Sequence, residues 1–95
     1  MRRVDKTTPY EGAWNVPGTY SSGDTLAVEQ RFSNWPSAVY VPNYSGSKVL
    51  ALELGNGDVV SLTSPAKGRI VRIGDVRRIH ADTTIGTGIV FLYQR

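Results

Sequence analysis

Lys48-Val49-Leu50-Ala51-Leu52-Glu53-Leu54-Gly55-Asn56-Gly57-Asp58-Val59-Val60-Ser61-Leu62-Thr63 decides the fold. Two runs rich in Val and Leu flank a Gly-Asn-Gly-Asp cluster, which is the pattern of a β-hairpin. Register follows from parity, because a slip of one residue turns every side chain to the other face. A two-residue Asn56-Gly57 turn would set Leu54 opposite Val59 and Leu52 opposite Ser61, leaving two half-apolar faces. A three-residue loop, pairing Leu54 with Val60 and Leu52 with Leu62, gathers Leu50, Leu52, Leu54, Val60 and Leu62 on one face. The second arrangement is expected, with Gly57 or Gly55 at the positive-φ position.

Outward from the hairpin the chain continues in short β-forming runs punctuated by turns. Thr25–Phe32 alternates as a half-buried strand, and Ser33-Asn34-Trp35-Pro36 breaks it. Ser37-Ala38-Val39-Tyr40-Val41 is rich in β-formers and stops at Pro42. Beyond the hairpin, Ser64-Pro65-Ala66-Lys67-Gly68 turns, Arg69–Ile73 and Val76–Ala81 read as strands, and 82–88 as a loop. Ile89-Val90-Phe91-Leu92-Tyr93 is apolar on both parities, which is the pattern of a central strand covered on both faces. No window carries helical periodicity. The expectation is an all-β fold, a small antiparallel sandwich or barrel-like domain of six to seven short strands over residues 25–95.

Residues 1–24 show no sustained period. Pro9, Pro17, Gly12, Gly18 and Gly23 argue against a helix, and the segment is expected as an extended N-terminal arm. It is richer in aromatics than a plain linker. Tyr10, Trp14 and Tyr20 lie in it, and with Phe32 and Trp35 the first 36 residues hold five of the chain's nine aromatics (two Trp, five Tyr, two Phe). These rings either cap the chain's own core or insert between neighbouring subunits. Tyr10, Trp14, Tyr20, Phe32 and Trp35 are therefore the candidate partner-contact residues.

Composition excludes several chemistries. With no Cys there is no disulfide, thiolate metal site or cysteine nucleophile. His80 is the single histidine, on a strand just after Arg77 and Arg78. No His, Asp and Glu spacing suggests a metal site. Asp75 and Asp82 flank separate turns. Gly86-Thr87-Gly88 opens like a phosphate loop but leads into a strand where that motif needs a helix. The expectation is a non-enzymatic chain with no cofactor. No apolar run reaches membrane-span length, and Met1-Arg2-Arg3-Val4-Asp5-Lys6 leads into no apolar segment of the kind a signal peptide carries.

The net charge is +3, a mild excess that does not by itself imply nucleic acid. It is concentrated in Lys67, Arg69, Arg72, Arg77 and Arg78, with Asp75 the one acid among them. Arg69, Arg77 and Arg78 could lie on one side of adjacent strands and follow a phosphate backbone. They could equally protect a strand edge or pair with acids of a neighbouring subunit. Arg77 and Arg78 join the candidate partner-contact set on the last of these readings.

Taken in succession, Ala38–Pro42, Leu50–Leu54 with its Asn56-Gly57-Asp58 turn, Pro65–Gly68, Val76–Ala81 and Thr83–Tyr93 resemble a family, the head-spike base proteins of tailed bacteriophages and gene transfer agents. There the order is a short aromatic strand, a hairpin, a turn, a basic strand, and a Thr-rich loop before a closing apolar strand. The likeness spans about residues 37–93 and leaves the arm unmatched. It implies a virion structural protein on the phage head surface, a capsid decoration, cement or head-spike base subunit assembled in the host cytoplasm. Its partners would be the major capsid protein or other virion proteins, and its own copies in a trimer or pentamer. A tail or baseplate adaptor, a carbohydrate- or receptor-binding module stacking sugars on Trp14, Trp35 and Tyr44, and a small barrel for single-stranded nucleic acid are the competing readings.

Overall fold

The structure, a computed structural model, describes residues 10–31, 33–86 and 88–94. Among the described residues eight strands are formed: β1 (Tyr10–Asn15), β2 (Leu26–Ala27), β3 (Ala38–Tyr40), β4 (Val49–Leu54), β5 (Val59–Thr63), β6 (Ile70–Arg72), β7 (Val76–Ile79) and β8 (Val90–Gln94). They make two four-stranded sheets with the orders β1-β8-β3-β6 and β2-β7-β4-β5. Every pairing is antiparallel. The fold is all-β, a small two-sheet sandwich, as the strand pattern predicts. Val39, Val41, Leu50, Leu52, Val76, Ile79, Ile89 and Phe91 are fully buried and form one cluster drawn from both sheets.

β8 is the hub of the first sheet, as its apolar character on both parities suggests, but the expectation that both its faces are covered is corrected: only the Phe91 and Tyr93 face is buried. Phe91 lies opposite Trp14 of β1 on one side and Val39 of β3 on the other. Val90 and Leu92 point outward and are only half-buried. β3 is short because Pro36 and Pro42 bracket it, and neither can donate to a ladder. Just before it, the chain stitches the sheets together. Ser37 N–H donates to Leu92 O (3.0 Å), Ser37 O accepts from Ile73 N–H (2.9 Å), and Pro36 O accepts from Val76 N–H (2.9 Å).

The hairpin has the expected three-residue loop and apolar face, but its cross-strand partners are displaced by two residues from those expected, since Leu54 opposite Val60 would enclose five residues. Leu50 pairs with Leu62, and Leu52 with Val60. The turn closes on Asp58, with Leu54 N–H donating to Asp58 O (2.8 Å), so the loop is Gly55-Asn56-Gly57. Asn56 is responsible: its Oδ1 accepts from Asp58 N–H (3.0 Å) and its Nδ2 donates to Asp58 Oδ2 (2.9 Å). Gly57 takes φ 93°, a conformation costly for any residue with a Cβ. A shift of two preserves parity, which is why the face survives the change in partners.

The expected division into an arm over 1–24 and a domain over 25–95 is replaced from Tyr10 onward. Residues 10–15 are an edge strand of the first sheet, with Tyr10, Gly12 and Trp14 half-buried and Glu11, Ala13 and Asn15 exposed. Val16 and Tyr20 follow into the core cluster. The period-two pattern is hidden in the sequence because Gly12 holds an inward position and Ala13 an outward one. Conversely, Thr25–Phe32 yields only the two-residue β2, with Val28 buried beyond it.

After β7 the chain keeps its place beside β4 without being a regular strand. His80 N–H donates to Ala51 O (2.9 Å) and Thr84 N–H to Val49 O (2.8 Å). Thr83, buried, accepts from Ala51 N–H (2.9 Å) and donates to Ala51 O (3.0 Å) through its hydroxyl. A side chain here does what a strand backbone would, so the buried ladder groups are satisfied.

Candidate interaction surface

The predicted contact residues do not form one surface. Tyr10 opens β1 opposite Gln94. Trp14 stacks on Phe91, with ring centroids 6.1 Å apart and planes at 26°. Tyr20 is 7% exposed, and its hydroxyl donates to Asp24 O (3.2 Å). Burial, together with the nearby Asp24 carboxylate, pushes its pKa above the ordinary 10.0. As a partner contact Tyr20 is therefore corrected, because it belongs to the chain's own core; Trp14, half-buried, packs at the rim of that core. Each ring removes about 150–250 Å² of surface from water, more than this small core can forgo. Phe32 lies outside the described residues.

Trp35 and Arg77 do come together. The Arg77 guanidinium sits 4.4 Å from the Trp35 ring centroid. Arg77 owes this aim to a bulge. Leu54 pairs with Val76 and Glu53 with Arg78, so Arg77 is the unpaired extra residue of β7. Its Nε is buried without a hydrogen-bond partner among the described residues. Gly55 makes room for it, since a Cβ there would fall 2.9 Å from Arg77 Nη2. Asp75, Asn56 and Leu54 complete an open cleft of about 410 Å³ beside this guanidinium. A second open cleft, about 280 Å³, lies between Ser37, Arg72, Ile73, Gly74 and Gln94. Neither contains a nucleophile paired with a base.

The basic window is split. Arg69 flanks β6 in one sheet, whereas Arg77 and Arg78 belong to β7 in the other. The single track for a phosphate backbone is thereby corrected, because the turn at Gly74-Asp75 carries the chain from one layer to the other. Arg78 is exposed and 3.9 Å from Glu53 across the strands, worth roughly 0–1 kcal/mol at most. Lys67 lies 4.8 Å over the Tyr44 ring. His80 Nδ1 accepts from Asp82 N–H (3.2 Å) within a turn. Among the described residues no three His, Asp or Glu are grouped to hold a metal.

An apolar strip turned to solvent is a feature the sequence reading did not single out. On the outer face of the β1-β8-β3-β6 sheet, Asn15, Val90, Tyr40 and Ile70 form one cross-strand row and Ala13, Leu92, Ala38 and Arg72 the next. Tyr40 is 37% and Ile70 51% exposed, and Val90 and Leu92 are half-buried beside them. Arg69 and Arg72 flank Ile70 along β6 and are exposed. An apolar strip with a basic rim is the usual anatomy of a protein contact. The alternation of Tyr40 with Val39 and of Ile70 with Val71 carried the signal. With three-residue strands, however, parity alone does not say which member faces the core.

Compared with known protein families, with curated proteins and with solved structures, the chain finds no match.

Proposed function

We propose that this chain is a phage virion structural protein, a capsid decoration, cement or head-spike base subunit that acts by seating on the head and assembling with its own copies. The observation that carries the reading is the outward apolar strip of Tyr40, Ile70, Val90 and Leu92, with Arg69 and Arg72 at its rim. Its occupant is the major capsid protein, through an apolar patch edged by carboxylates that complement the arginines. The resemblance over residues 37–93 supports the same reading from the sequence pattern.

The competing carbohydrate reading is weaker because each of its three rings already has a face engaged. Trp14 stacks on Phe91, Trp35 on Arg77, and Tyr44 carries Lys67. The test is co-sedimentation with assembled capsid shells. The wild-type chain pellets with shells, and the double substitution Tyr40→Ser with Ile70→Ser removes binding while leaving the fold intact. Absence of the wild-type chain from the shell pellet overturns the proposal.

A further inference from the structure

We propose that the free edge of β5 pairs antiparallel with β5 of a second copy of this chain, about a two-fold axis at Ser61. The inference rests on the reading of the chain as a self-assembling subunit and names one of its contacts.

The four sheet edges are not equally protected. β2 is two residues long and β6 three, the latter carrying Arg72. β1 holds Glu11 and a register irregularity between Tyr10 and Gly12, and Arg31 Nη1 donates to its Ala13 O (2.9 Å). Short length, charge, bulges and side-chain caps are the usual devices that blunt an edge. Among the described residues β5 has none of them. It is five residues, Val59-Val60-Ser61-Leu62-Thr63, without a charge or a proline, and its register against β4 is unbroken.

The backbone groups are placed for it. Leu54 N–H donates to Asp58 O and Ser64 N–H to Lys48 O, so by alternation Val60 and Leu62 turn their amides to β4. Val59, Ser61 and Thr63 turn theirs to the open edge. Antiparallel self-pairing centred on Ser61 sets Val59 opposite Thr63 of the second copy, Ser61 opposite Ser61, and Thr63 opposite Val59. About six backbone hydrogen bonds form in that register.

The side chains agree on both faces. Val60 meets Leu62 on the core-facing side, where both are half-buried. On the outer side Val59, 45% exposed in the single chain, gains a β-branched neighbour. Beyond Thr63 the backbone turns at Ser64, which takes φ 50°, so the paired segment is limited to Val59–Thr63.

The contact is small, below about 1,200 Å² in total, which is the class of weak association. Its strength would come from repetition on a particle. A two-fold contact of this kind adds to a three- or five-fold ring and does not replace one.

Sedimentation equilibrium on the full chain tests the inference. Wild type dimerises with a Kd in about the micromolar-to-millimolar range. Ser61→Lys and Ser61→Glu each weaken self-association by about tenfold or more, because like charges meet at the axis. An equimolar mixture of the two restores a heterodimer. Amide exchange supplies a readout that needs no variant: Val59, Ser61 and Thr63 slow as concentration rises, whereas Val60 and Leu62 do not. A chain strictly monomeric at about 1 mM, folded Ser61 variants that associate like wild type, or edge amides indifferent to concentration would each overturn the proposal. Dimerisation without capsid-shell binding refutes the virion reading and leaves this contact standing. Shell binding by a monomeric chain does the reverse.

Discussion

The two sheets have the same number of strands and opposite ways of being built. In the β2-β7-β4-β5 sheet the β4-β5 hairpin is local, and its turn is specified by three residues, Gly55-Asn56-Gly57. In the β1-β8-β3-β6 sheet every ladder joins segments distant in the chain, and Trp14 finds Phe91 only when β8 is in place. Their outer faces differ as well. The hairpin sheet presents Arg78, Glu53, Ser61 and Thr63 with one exposed apolar residue, Val59; the other presents Tyr40, Ile70, Val90 and Leu92. Local turn chemistry can hold a sheet whose exterior is mostly polar. The non-local sheet depends on its core side chains, and its exterior is the stickier of the two.

That contrast can be broken first at Phe91, which touches all of it. Phe91→Ala is expected to cost about 3–5 kcal/mol in urea unfolding. Amide exchange in β1 should rise toward the rate of exposed strands, while β4 and β5 loosen only as far as global stability falls. Equal selective loosening of β5 would show that the sheets are not independent in this way.

A smaller effect is expected at Thr83, which supports the hairpin sheet by a side chain. Thr83→Val keeps the shape and leaves the buried Ala51 N–H without its acceptor, for a loss of about 1–3 kcal/mol. Thr83→Ser should recover most of it. If valine proves neutral in the same denaturation series, the hydroxyl bridge contributes nothing net.

Much of the fold was legible before any coordinates. The hairpin, its apolar face and the central place of β8 follow from parity and composition at Leu50, Leu52, Val60, Leu62 and Phe91. β1 was not legible, because one glycine and one alanine erase its alternation. The three-residue loop was legible too, but its partners were misplaced by two, because setting Leu54 opposite Val60 encloses five residues where a three-residue loop sets Leu54 opposite Asp58. The candidate surface was the least legible. Arg77 is aimed by a bulge that no spacing announces, and the outward strip depends on which sheet each three-residue strand joins.

The mildest test uses pH. Tyr93 is buried, which raises its pKa, and its hydroxyl donates to Glu29 O. Tyr20 is raised too, by burial and by Asp24. A raised folded-state pKa means the native chain holds those protons more tightly than the unfolded one. The resulting stability is complete below the ordinary value near 10.0 and is lost as pH climbs through the folded-state values. Thermal melts should be flat from neutrality to about pH 9 and decline above about pH 10. The decline should be shallower in Tyr20→Phe. An unchanged alkaline slope in that variant would remove Tyr20 from the account.

The position of β8 has a consequence in time. It is the last of the eight strands along the chain and the partner of both β1 and β3. The β4-β5 hairpin is local and can close early in folding, whereas β8 must find β1 and β3 across long stretches of chain. Until it docks, Trp14 and Val39 have no ring between them, β1 has no partner and β3 keeps only β6. A partly folded chain would therefore display one built sheet beside an exposed strand, and that is the point at which a chaperone's grip matters most.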